Sequence, residues 1–167
     1  MKMSLLVLIV VLSVSAFGQT APEGWRFPNR GDVKGDWKKY QRKNGLPYKV
    51  AADLNGDKFP DQAWILISTK EKNALGLFIF PGKKKGFEKA ILLERSGIEP
   101  QAMYVSILKK GNYSTACAAG FRDCAEDEPA LVKLKRSGII YAMLGSANTL
   151  HYWDDRRKKF KLVALTD

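Results

Sequence analysis

Short runs of apolar and alternating residues, separated by polar turns, fill the chain from residue 46 onward. The runs that resemble strands are 48–52, 63–69, 75–80, 87–93, 103–107, 132–135, 139–144, 149–153 and 160–165. Turn signals recur about every 8–12 residues, a spacing typical of antiparallel β structure. The runs 63–69 and 75–80 are almost continuously apolar, so we expect both of their faces to be covered.

One short helix is predicted ahead of this β region. Asp32 is placed as its N-cap, since an aspartate oxygen can accept from the first free amides. Val33, Trp37 and Tyr40 would share one face, and Gly45 suits the left-handed position that ends a helix. This segment therefore supplies the only predicted helix.

The pattern as a whole predicts a mainly β (α+β) fold. We expect an antiparallel meander or small sandwich of about eight strands with one short N-terminal helix, forming a single domain over residues 19–167. A closed propeller needs at least about four four-stranded blades, more than this chain supplies.

Residues 1–18 have the anatomy of a signal peptide. Lys2 precedes an apolar run over 5–12, and small residues follow it before Gln19. The run is too short to span about 30 Å of hydrocarbon, which argues against a membrane anchor. We expect the mature protein to be exported, soluble, and periplasmic or extracellular, with no transmembrane segment.

Net charge and cysteine content add two expectations about the exported protein: it is strongly basic, and it contains a disulfide. The formal net charge is +11, and removal of Lys2 with the leader lowers it by one. Cys117 and Cys124 are the two cysteines of the chain, and in an oxidising compartment we expect them to pair.

The stretch 53–61 carries the most specific chemistry in the sequence. Oxygen-bearing side chains occupy its positions 1, 3, 5 and 9, and a backbone carbonyl could add a fifth donor. The predicted metal ligands are Asp53, Asn55, Asp57, the Phe59 carbonyl and Asp61. Hard oxygen donors at this spacing favour a structural calcium ion. The alternative is an Asx-rich turn that needs no metal.

This loop resembles the FG-GAP repeat of integrin-type propellers, in a single copy. The resemblance rests on D-x-N-G-D, the later Asp61 and the apolar strand that follows. An EF-hand fits less well, because Trp64 stands where that loop needs a bidentate glutamate. Lys58 replaces the usual glycine, so we expect it to adopt positive φ and its ammonium to weaken calcium affinity.

A wider resemblance covers most of the domain. Gly-Trp-Arg-Phe-Pro over 24–28, the D-x-N-G-D loop before Ala-Trp-Ile-Leu, and Tyr-Trp-Asp over 152–154 resemble a group of small uncharacterised bacterial exported proteins. The resemblance implies export and a β-rich fold, and it implies no particular activity.

The basic residues form runs at predicted turns, where charge protects sheet edges. Two runs are also candidate anion-binding residues: Lys83, Lys84, Lys85, and Arg156, Arg157, Lys158, Lys159. If they share a face, they could bind an anionic polymer of the cell envelope. Another protein is an alternative partner, and no recognised nucleic-acid module is evident.

No catalytic residue is predicted. The single histidine, His151, lies on a predicted strand without a nucleophile motif, so we expect a surface or half-buried structural residue. The sequence thus favours an exported, calcium-stabilised and non-enzymatic β domain that binds an envelope or macromolecular partner. The alternative is a hydrolase acting on an envelope polymer with Asp or Glu as acid and base.

Overall fold

Antiparallel strands dominate the computed structural model, which describes residues 19–126 and 128–166. The strands are β1 (Trp25–Arg26), β2 (Lys49–Ala52), β3 (Asp61–Ser68), β4 (Leu75–Phe80), β5 (Ile91–Ser96), β6 (Met103–Leu108), β7 (Gly111–Ser114), β8 (Leu131–Leu134), β9 (Gly138–Met143), β10 (Asn148–Asp154) and β11 (Lys159–Thr166). The helix α1 covers Gly35–Asn44, and 3-10 turns cover Arg30–Asp32 and Pro100–Ala102. The predicted signal peptide lies outside the described residues.

The predicted mainly β fold is confirmed. The first sheet has the order β1-β3-β4-β5, and β2 also pairs with β3. The second sheet has the order β11-β10-β9-β6, and β7 and β8 form a separate two-stranded ribbon. The described residues form eleven strands where about eight were expected, partly because β1 and β7 are short and lack an apolar alternation.

Three apolar clusters join these parts into layers. The main cluster lies between the two sheets and includes Ile65, Leu77 and Tyr141. A second cluster, with Val132 and Leu150, packs the β7–β8 ribbon on the outer face of the second sheet. The third cluster covers the other face of the first sheet with the segment around Trp25. All six residues of β4 are therefore buried, as the continuous apolar run predicts.

The helix prediction is correct in place and wrong at its start. Asp32 ends a 3-10 turn, where Asn29 is the N-cap and the Asp32 carboxylate accepts from the Asn29 amide at 2.8 Å. Arg26 also binds Asp32 and lowers the pKa of that carboxyl. The helix itself starts at Gly35 and ends before Gly45, which has φ +85° as expected. Its Trp37 is fully buried and donates to the Met103 carbonyl at 2.6 Å.

Within the described ranges, no helix is long and apolar enough to cross a membrane.

Candidate binding surface

The 53–61 loop is ordered by hydrogen bonds between its own side chains and amides. Asp53 accepts from the Gly56 and Lys58 amides at 2.6 and 3.1 Å. Asn55 Oδ1 accepts from the Asp57 amide at 2.9 Å, and Asp57 Oδ1 accepts from the Phe59 amide at 2.8 Å. These interlocked turns orient the loop between β2 and β3. Lys58 has φ +73°, which confirms the expected positive φ.

Asp61 differs from the other three predicted ligands because it is buried, with 1% of its surface exposed. Its two oxygens accept from the Leu54 and Gly82 amides, each at 2.8 Å. Burial raises the pKa of this carboxyl, while the two amide bonds oppose that rise. A side chain at Gly82 would collide with the Pro60 carbonyl oxygen. Asp61 therefore joins the loop to the connection after β4.

The predicted calcium ligands are close in sequence but have different partners in the structure. Asp53, Asn55 and Asp57 bind amides in the outer part of the loop, and Asp61 points to the interior. Among the residues that the structure describes, no group of three or more His, Cys, Asp or Glu side chains is arranged to hold a metal ion. Calcium binding by these residues stays a prediction. An ion bound here would share carboxylate oxygens that already accept from backbone amides.

Arg136 connects the same loop to the second sheet. Its Nη1 donates to the Asn55 carbonyl and to Asp155 Oδ1, both at 2.8 Å. The guanidinium lies against Gly56, where an added Cβ would approach its Cζ to 2.7 Å. In the sequence, Gly56 is only the glycine of the D-x-N-G-D motif, and no pattern there indicates Arg136 as its neighbour.

These contacts place several connections at one end of the molecule, here called the loop end. It comprises residues 53–60, 81–87, 109–110, 135–137 and 155–158. The pairing of Leu108 with Gly138, and of Gly111 with Leu134, brings 109–110 beside 135–137. Asp61 and Arg136 connect the remaining members, as described above.

Both predicted anion-binding runs lie at or directly beside the loop end, and all of their side chains are exposed: Lys83, Lys84, Lys85, Arg156, Arg157, Lys158 and Lys159. Exposed Lys58, Lys109, Lys110 and Lys135 add to the same positive surface. Sequence periodicity could place each run at a turn, but it could not show that the turns of two different sheets meet.

The cysteine pair holds the segment between β7 and β8. The Cys117 and Cys124 sulfur atoms are 2.07 Å apart, the distance of the predicted disulfide. Just before it, the Ala116 amide donates to the Ala164 carbonyl of β11 at 2.8 Å. The segment therefore contacts the outer strand of the second sheet.

Three titratable groups near the loop end and between the sheets have structural partners: His151, Asp154 and Asp155. His151 is 2% exposed, more deeply buried than predicted, and its Nε2 lies 2.9 Å from Glu94 Oε2 across the two sheets. At the surface, Lys161 lowers the pKa of Asp154 to about 2, and Arg136 lowers that of Asp155. A general acid needs a pKa near the working pH, so these two aspartates are poorly suited to that role.

Comparisons of the chain with protein-family models, with curated proteins and with solved structures find no match.

Proposed function

We propose that this protein is an exported, non-enzymatic β domain that binds an anionic polymer of the cell envelope through its loop end. The position of both basic runs at one end of the fold supports the proposal most directly. Asp61 and Arg136 bring connections from both sheets to one end of the fold, and both basic runs lie exposed at or beside that end. Such a surface attracts a polyanion and gains from the release of its counterions.

An extended polymer suits this surface better than a small anion. The lysines of the 83–85 run and the side chains of the 156–159 run are exposed on different hairpins. A polymer offers many anionic groups along its length and can therefore contact side chains of several hairpins together. Each exposed charge contact contributes up to about 1 kcal/mol, so affinity would come from many of them.

Heparin is a suitable probe, because it is a soluble, highly charged polyanion. We expect the domain, residues 19–167, to bind heparin with an affinity that falls steeply as salt increases. Changing Lys83, Lys84 and Lys85 to Gln should weaken binding by about tenfold to a hundredfold, which corresponds to roughly 0.5–1 kcal/mol per contact.

The helix offers a matched control that also removes three charges. Lys38, Arg42 and Lys43 are exposed on α1, which packs beside Met103 at the opposite end of β6. Changing these three to Gln should leave most of the affinity intact. If the two triple variants lose heparin affinity equally, the binding depends on net charge alone, and the proposal of a specific surface is refuted.

A further inference from the structure

A cleft of about 390 Å³ opens beside the loop end, between β8 and the β10–β11 hairpin. One wall is formed by β8 and the residues that follow it, and the other by the end of β10 and its turn. Side chains of both walls line it, including Lys133, Lys135, Arg136, Tyr152, Arg156 and Lys161. The cleft therefore has five cationic residues and two aromatic residues, Tyr152 and Trp153, in its lining.

Two aspartates neutralise part of this charge. Asp154 Oδ2 lies 3.1 Å from Lys161 Nζ, and Asp155 Oδ1 lies 2.8 Å from Arg136 Nη1. Lys135 Nζ is also near Asp155, at 3.7 Å. Aspartates are ionised at neutral pH, and Lys161 and Arg136 lower the pKa of Asp154 and Asp155 further, so both pairs are charged there.

Lys133 and Arg156 remain available to a ligand. Both side chains are exposed, and neither forms an ion pair with a carboxylate in the described part of the chain. They belong to opposite walls of the cleft, so a ligand lying between them could contact both. This arrangement favours a molecule with more than one anionic group.

Tyr152 adds a second type of contact. It is half-buried, packs against the second apolar cluster and lines the cleft. Its position is fixed by pairing with Lys161 across β10 and β11. An aromatic ring held in this way can contact the C–H face of a sugar ring, which an inorganic polyanion lacks.

We infer that this cleft binds an acidic oligosaccharide unit, with its anionic groups on Lys133 and Arg156 and a sugar ring against Tyr152. The inference rests on the proposed function and specifies the polymer as an acidic glycan. A polymer of phosphate alone would use the charges and gain nothing from the ring.

The test compares a fluorescent heparin hexasaccharide with inorganic polyphosphate, measured as Kd at constant salt. The cleft variant is Lys133→Gln with Arg156→Gln. Its control is Lys83→Gln with Lys84→Gln, which removes the same charge at the loop end outside the cleft. Tyr152→Leu tests the aromatic contact, with Tyr152→Phe as the variant that retains a ring.

We expect the cleft variant to weaken hexasaccharide binding by about tenfold more than its control. Tyr152→Leu should weaken hexasaccharide binding by roughly tenfold, as for loss of one stacking contact, and leave polyphosphate binding unchanged. Tyr152→Phe should retain the wild-type affinity for both probes.

Equal losses in the cleft and control variants would overturn the inference, and so would an equal effect of Tyr152→Leu on both probes. In either case the wild type still binds, and the proposed function stands. A wild type that binds neither probe would refute both proposals. If Tyr152→Leu fails to fold, the comparison of the two charge variants decides, since all four of their positions are exposed.

Discussion

Lys58 has the least favourable backbone conformation in the 53–61 loop. It has φ +73°, a region that costs a side-chain-bearing residue about 1–2 kcal/mol and costs glycine little. The exposed side chain makes no compensating hydrogen bond within the described residues. Its backbone amide, in contrast, donates to Asp53 and helps to fix the turn.

Lys58→Gly should therefore stabilise the protein. We expect an increase of about 1 kcal/mol in the free energy of unfolding, measured by urea denaturation. Lys58→Ala removes the same charge but keeps the strained conformation, so it should remain close to wild type. If Lys58→Ala raises the free energy of unfolding as much as Lys58→Gly, the stabilisation comes from removing the charge and not from relieving the backbone strain.

Asp61 is expected to contribute far more to stability than the other acids of its loop. Asp61→Ala leaves the buried Leu54 and Gly82 amides without their acceptor, at about 1–3 kcal/mol for each buried group. We expect the free energy of unfolding, measured by urea denaturation, to fall by roughly 2–6 kcal/mol. The exposed Asp57, changed to alanine, should cost under about 1 kcal/mol. Similar losses at the two positions would contradict the assignment of Asp61 as the structural member.

At the scale of elements, the 53–61 loop is the part that sequence described best. Its limits, its turns and the positive φ at Lys58 follow from local residue chemistry, because each depends on neighbours a few positions away. The partners of Asp61 do not follow in this way. Gly82 lies 21 positions along the chain, and only the pairing of β3 with β4 brings it near.

Calcium binding by this loop can be tested directly. If it binds calcium, millimolar Ca²⁺ should raise the Tm and excess EDTA should reverse the rise; a concentration of 100 times Kd would add about 2.7 kcal/mol. Asp53→Asn with Asp57→Asn should abolish the response. Lys58→Gly should enlarge it, because an ammonium group near the ion is removed.

A melting temperature that neither calcium nor EDTA changes would leave the loop as an Asx-rich turn. The hydrogen bonds described above are sufficient to order it in that case.

For the whole molecule, the sequence predicted which segments are strands and which of their faces are buried. It did not predict how the strands and loops are arranged relative to one another. Apolar periodicity indicated strands such as β4 that are buried on both faces. Apolar periodicity could not show that Arg136 would contact Asn55, 81 residues away, because it describes each segment separately and contains no information on which segments pack together. The cleft was missed for the same reason, since Lys133 and Arg156 come from separate hairpins.

The hydrogen bond from Ala116 to Ala164 has a consequence for association between copies of the chain. β11 is the outermost strand of its sheet, and its Leu162 is 53% exposed. An uncovered strand of this kind readily pairs with another chain. The disulfide keeps the Ala116 segment in place at one point along it, so reduction would free more of this edge. A reduced protein should therefore aggregate sooner on heating, with light scattering rising at a lower temperature.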